Sequence, residues 1–140
     1  MQTQIQPYLF FGGRCEEALN FYQQALGAKI GMMMRFDENP EPPPAGALPP
    51  GFEKRIMHAE LRVGDTAILA SDGDSSESNF DGFRMALTLA TEAETQRSFN
   101  ALAVGGSIQM PPAKTFFSPC FGMLTDRFGI GWMVMARPSA

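Results

Sequence analysis

The chain has 140 residues, 44% of them hydrophobic, and a formal charge of −4 with no run of lysine or arginine. That is chain enough for one substantial core rather than two independent domains, and it lacks the basic footprint that nucleic acid or an anionic membrane surface requires. No apolar run reaches the roughly 18 residues of a membrane span, and two cysteines, Cys15 and Cys120, without a secretory leader predict a cytoplasmic protein with no disulfide.

Taken in chain order, Tyr8 to Phe11 is a continuous apolar run that predicts a buried strand ending at Gly12-Gly13. Ala18, Leu19, Tyr22, Ala25 and Leu26 then recur at helical spacing, with Glu16 and Glu17 at the positive end of the helix dipole and Gly27 as the stop. Lys29 to Asp37, with three methionines, reads as a second strand. Residues 40 to 50 carry six of the eleven prolines, which excludes helix and sheet and predicts a long loop or lid. Lys54 to Val63 and Thr66 to Ser71 form two strands joined at Gly64-Asp65, and the polar stretch Asp72 to Asp81 is a linker. Beyond it come a strand over Phe83 to Thr91, a helix over Glu92 to Val104, and strands over Ser107 to Lys114, Phe117 to Thr125 and Gly131 to Ala136, the last two joined by a turn at Arg127-Phe128-Gly129.

The second set of elements repeats the first. Phe21 and Gly27 fall on Phe99 and Gly105 at a spacing of 78, and Leu9, Phe11, Ile30 and Met32 fall on Leu87, Leu89, Ile108 and Met110. A shared order of elements together with a shared helix stop predicts two βαβββ modules, about 1–73 and about 82–137, within a single domain spanning 1–140.

The pieces "PYLFFGGRCEEALNFYQQALGA", "MHAELRVGDTAILASD" and "FGMLTDRFGIGWMV", together with the polar linker and the second βαβββ that the last piece completes, resemble the PhnB-like branch of the vicinal oxygen chelate superfamily, the relatives of glyoxalase I, bleomycin-resistance proteins and extradiol dioxygenases. The resemblance covers nearly the whole chain. It implies an α+β fold in which curved mixed sheets enclose a cavity, a small organic ligand, and a homodimer. It does not imply one activity, because this scaffold hosts isomerisation, ring cleavage, thiol transfer and plain drug binding. The metal-dependent members hold a divalent ion with His, Gln or Glu from the first and last strands of each module. Here those places fall at Pro7 or Tyr8, Ala70 or Ser71, Arg84 or Met85, and Met135 or Ala136, none of them a good donor, so no metal and no other cofactor is expected.

In this fold helices cover one face of each sheet and the other curls into a cavity, with side chains alternating between the two. On the third strand Met57, Ala59, Leu61 and Val63 make one set, and Ile56, His58, Glu60 and Arg62 the other, which is too polar to lie under a helix. His58 with Glu60 reads as an acid/base and its orienting partner, or as an ordinary exposed strand face. Tyr8, Arg62, Ser71, Asp72, Phe117 and Trp132 are the candidate ligand-binding residues, although "SDGD" also reads as a turn and the aromatics as core. Cys15 at a helix start beside Arg14 is either an activated thiolate or a buried structural residue. Gly12-Gly13 lacks the G-x-G-x-x-G pattern, and neither a phosphate-binding P-loop nor a G-x-S-x-G elbow occurs. Two readings remain: a metal-free small-molecule-binding protein, or a lyase, isomerase or dioxygenase-like enzyme with His58 as acid/base and Asp72 as a polar anchor or lone metal ligand.

Overall fold

A computed structural model describes residues 3–41, 44 and 46–138. The chain divides into two compact units, Met1–Ser78 and Asn79–Ala140. The first contains β1 (Tyr8–Phe10), α1 (Cys15–Leu26), β2 (Lys29–Arg35), β3 (Ile56–Val63) and β4 (Thr66–Ser71). The second contains β5 (Met85–Leu89), α2 (Glu92–Ala103), β6 (Ser107–Ala113), β7 (Phe121–Thr125) and β8 (Gly131–Ala136). Each unit is thus βαβββ and the class is α+β.

Within each unit the strands make one open four-stranded sheet, ordered β1-β4-β3-β2 in the first and β5-β8-β7-β6 in the second. The outer pairs β1·β4 and β5·β8 are parallel, and the remaining pairs antiparallel. A helix can cover only one face of such a sheet, and side chains alternate between faces, so burial largely follows parity, with exceptions such as Ile56, Ser71 and Phe121 at the strand ends. In the first unit Leu9, Ala59, Leu61, Ile68 and Ala70 are buried on the α1 side, together with Ala18, Leu19 and Tyr22 of the helix. Each large apolar side chain in that layer stabilises the unit by about 1.5–3 kcal/mol. In the second unit Leu124, Trp132, Val134 and Ala136 play the same part against Phe99 and Leu102 of α2.

The two helices are started differently. The N-terminus of α1 has no side-chain cap of its own, since Arg14 stands at the cap position, whereas Thr91 caps α2 by accepting from the Glu94 N–H at 3.1 Å. For α1 the missing acceptor is supplied from far along the sequence by Asp72. α1 stops at glycine, as expected, with Gly27 adopting φ 67° directly after it, whereas α2 ends at Ala103 with Val104 extended at its cap and Gly105, at φ 79°, one residue further on.

Several element ends move from their expected places. β1 is an edge strand with only one covered face, so Leu9 and Phe11 are buried while Tyr8 and Phe10 are 40% and 50% exposed. A run of four apolar residues concealed that alternation. Residues 52–54 form a single 3-10 turn, which delays β3 to Ile56. Ile56, assigned to the polar set, is buried, because the β2–β3 register shifts between Met34 and Arg35 and ends the simple alternation there. β7 begins at Phe121 rather than Phe117, since Thr115 Oγ1 accepts from the Phe117 and Ser118 N–H groups and folds 115–118 into a turn. Residues 42, 43 and 45 of the expected proline-rich lid lie outside the described residues; the described part around Gly46 to Pro50 consists of turns and bends.

Candidate functional site: the open face of the first sheet

The open face of the first unit is read directly from register and parity. Cross-strand pairing sets Met32 beside Glu60, Glu60 beside Leu69, and Leu69 beside Tyr8. Two residues further along, Met34 pairs with His58 and Phe10 with Ser71. His58, half-buried, is therefore surrounded by side chains that reach over a single sheet face.

The decisive contact is between Tyr8 and His58. Tyr8 Oη lies 2.9 Å from His58 Nδ1, and the two rings are tilted by 48° with centroids 5.7 Å apart. The phenol ring also stacks on Phe10, with centroids 5.0 Å apart and planes within 17°. Partial burial, with a smaller contribution from Cys15, raises the Tyr8 hydroxyl above the ordinary phenol range, so it stays protonated at neutral pH. The expected partner of His58, Glu60, is instead engaged with Arg62, whose Nε lies 3.3 Å from its carboxylate. The phenol on the adjoining β1–β4 edge reaches diagonally across the sheet to His58, while Glu60 and Arg62 pair along their own strand.

The remaining candidates separate. Asp72 is buried, and both of its carboxylate oxygens are occupied: Oδ1 accepts from the Gly13 and Cys15 N–H groups and Oδ2 from the Ile56 N–H, each at 2.8 Å. The side chain expected as a polar anchor or lone metal ligand is instead the cap of α1 and a tie between β1, β3 and β4. Ser71 is buried as well, donating to the Ile56 carbonyl and accepting from the Gly73 N–H. Trp132 and Phe117 belong to the second unit. The Trp132 indole N–H donates to Asp126 Oδ2 at 2.8 Å within that unit's core, and Phe117 meets Phe121 edge-on at 5.0 Å. Cys15 is fully buried; burial first, then Asp72 and Glu16, pushes its thiol far above the ordinary range, which is the opposite of an activated thiolate. Phe10 also stands on this face, a place signalled by its alternation with Tyr8 but masked where the whole apolar run reads as buried, and Met32 and Met34 belong to a methionine set that reads in sequence as an adaptable apolar wall or as core.

A depression of about 410 Å³ adjoins this face at Phe10 and is bounded by Asp72, Gly73, Asp74, Ser75 and Glu77. The corresponding face of the second unit is differently made. There Met110, Met123, Met133 and Ala86 form the row that matches Met32, Glu60, Leu69 and Tyr8, and Phe121, Met135 and Thr88 form the next. Tyr8 thus corresponds to Ala86, one residue beyond the expected Arg84 or Met85, Ser71 to Met135, and His58 to Phe121. In these matched rows the carboxylate and imidazole side chains, Glu60 and His58, belong to the first unit, and the second unit's rows carry neither.

A divalent metal of the kind held by metal-dependent relatives would need three or more good donors. The side chains at the corresponding places are Tyr8, Ser71, Ala86 and Met135, and the Ser71 hydroxyl is already engaged by backbone. Among the described residues no three His, Cys, Asp or Glu side chains converge. This donor set does not fit such an ion.

Residues 3–135 match a family model described as 3-demethylubiquinone-9 3-methyltransferase. YjdN of Escherichia coli is 35% identical over 136 residues, covering 93% of this chain and 92% of its own. The chain belongs to this PhnB-like family. Its solved relatives include PA1353 of Pseudomonas aeruginosa, 42% identical with a TM-score of 0.85, covering 99% of this chain and 100% of that one. A PhnB protein of Bacillus cereus is 29% identical with a TM-score of 0.77, covering 96% of this chain and 99% of that one. The PhnB-like family carries the vicinal oxygen chelate fold: a glyoxalase-related enzyme from Fulvimarina pelagi shares it at 16% identity and a TM-score of 0.65, covering 99% of this chain and 90% of that one.

Proposed function

We propose that this PhnB-like protein binds a small organic molecule on the open face of its first sheet, with Tyr8 and Phe10 as an aromatic platform and His58 as the polar recognition group. The observation that carries this reading is the Tyr8–His58 contact at 2.9 Å beside two stacked, half-exposed rings. A sheet face that is merely solvated has no need of aromatic side chains arranged around an imidazole, and aromatic platforms with one or two fixed polar groups are the usual make-up of small-ligand sites. Arg62 with Glu60 forms a charged border to it. The family's description names a methyltransferase; the two mixed four-stranded sheets and a Gly12-Gly13 turn without the G-x-G-x-x-G pattern support ligand binding in preference to that chemistry. No metal is assigned a part, and Ser71, Asp72 and Trp132 are structural.

A second reading is favoured by one detail of the same site. Tyr8 occupies Nδ1 of His58 and leaves Nε2 to exchange a proton with a bound molecule, as a lyase or isomerase of this fold would require. Thermal shift against a panel of aromatic acids, ketones and quinones decides the binding claim. Ligand at about a hundred times its Kd stabilises by about 2.7 kcal/mol, and His58→Ala should abolish that shift while leaving the unliganded melting temperature within about a degree or two of wild type. Shifts undiminished in His58→Ala would refute the assignment. Homodimerisation and a cytoplasmic location are proposed on the family resemblance, consistent with two free, buried cysteines and with no described helix long and apolar enough to cross a membrane; sedimentation velocity tests the former.

A further inference from the structure

We infer that Tyr8 is the positioning residue of this site: by donating its hydroxyl proton to His58 Nδ1 it fixes the imidazole in the Nε2–H tautomer, so that the site receives its ligand through a hydrogen-bond acceptor oxygen. The inference rests on the binding reading above and sharpens it to a ligand class: a flat apolar or aromatic body bearing a carbonyl, carboxylate or phenolate oxygen.

Three observations lead there. At 2.9 Å the Tyr8 hydroxyl and His58 Nδ1 share one hydrogen, and either could supply it. A phenol is a strong donor and a poor acceptor, because its lone pair is delocalised into the ring, whereas a neutral imidazole nitrogen is a strong acceptor. The proton therefore comes from oxygen, and the neutral ring keeps its own proton on Nε2. Next, the one carboxylate on the same strand face that would reverse this preference by demanding an Nδ1–H donor is Glu60, and it is paired with Arg62 at 3.3 Å. Finally, among the described residues His58 Nε2 has no hydrogen-bond partner, so its N–H is the donor left for a ligand, beside the Tyr8–Phe10 stack with ring centroids 5.0 Å apart. A ligand presenting only donors would meet N–H with N–H and be rejected.

The chain contains a single histidine, which makes the test direct. In the 140-residue chain labelled with 15N-histidine, two-bond 15N–1H correlation spectra at alkaline pH report the tautomer. The expected result is a protonated, pyrrole-like Nε2 and an unprotonated, pyridine-like Nδ1, shifting toward averaged nitrogens in Tyr8→Phe. A pyrrole-like Nδ1 in the wild type, or a spectrum unchanged by Tyr8→Phe, overturns the role of Tyr8; the wild-type spectrum alone decides if the variant folds poorly. For the ligand class, benzoate and benzylamine are titrated as matched probes. Benzoate moving the His58 nitrogens, with several-fold weaker binding to Tyr8→Phe, supports the inference. Equal or stronger response to benzylamine overturns it while leaving the binding site itself standing. Silence to both probes, with the expected tautomer present, counts against the ligand class and the binding reading and upholds only the positioning by Tyr8.

Discussion

Replacing Asp72 by alanine removes one side chain and three hydrogen bonds, and the structure says what that costs. The carboxylate is buried and accepts from the Gly13, Cys15 and Ile56 N–H groups at 2.8 Å each. A hydrogen bond to a charged group contributes about 1.5–3 kcal/mol, and a buried donor left unpaired costs about 1–3 kcal/mol; an N-cap truncation alone costs up to about 2 kcal/mol. These overlap, because water can reach part of the vacated space, and desolvation of the carboxylate offsets some of the gain. An overall loss of about 3–5 kcal/mol follows, at the severe end for a single substitution. Asp72→Asn keeps an acceptor for the helix N-terminus but sets an amide N–H₂ against the Ile56 N–H, and should lose about 2–3 kcal/mol. Urea unfolding of the full chain, followed by far-UV circular dichroism and separately by Trp132 fluorescence, measures both and shows whether the second unit unfolds with the first. A loss below about 1 kcal/mol for Asp72→Ala, or a larger loss for Asn than for Ala, would refute the reasoning.

Other consequences follow from the same geometry. Cys15 should resist alkylation in the native protein and react fully in urea. Because burial raises its thiol pKa in the folded state, its contribution to stability is complete at neutral pH and is lost as pH climbs beyond the unfolded thiol's range; stability measured from pH 7 to 10 should fall, and Cys15→Ser should flatten that fall. Thr91→Ala removes the α2 cap bond to the Glu94 N–H and should cost about 1 kcal/mol by urea unfolding. Gly122→Ala should cost about 1–3 kcal/mol, since a Cβ there would meet Phe99 Cε2 at 2.7 Å and the Met110 carbonyl at 3.0 Å; a neutral result would show that Phe99 has room to move.

Most of the fold was legible because its determinants are local and periodic. Ala18, Leu19 and Tyr22 announce α1 through spacing, Gly27 and Gly105 announce the helix ends, and the recurrence at 78 residues carries β2 onto β6 with both ends in place. The site was only partly legible. Parity alone put His58, Glu60 and Arg62 on the open face. Which of them interact is a matter of strand order, and the β1·β4·β3 arrangement that brings Tyr8 to His58 joins residues 50 apart in sequence. For Asp72 the sequence leaves a polar anchor and a plain turn equally open, because nothing local reveals that three backbone N–H groups converge on it from two distant segments. Trp132 reads in sequence as pocket lining or as core, because its partner, Asp126, is recognisable only once the β7–β8 turn closes.

The central claim is that the open face of the first sheet is a ligand site, and chemical-shift mapping with a fragment library of small aromatic acids and ketones tests it most directly. The account predicts that perturbations gather on Tyr8, Phe10, Met32 and His58 and are lost together in His58→Ala. Perturbations gathered instead on the methionine row Met110, Met123 and Met133 of the second unit, with His58 unmoved, would contradict it.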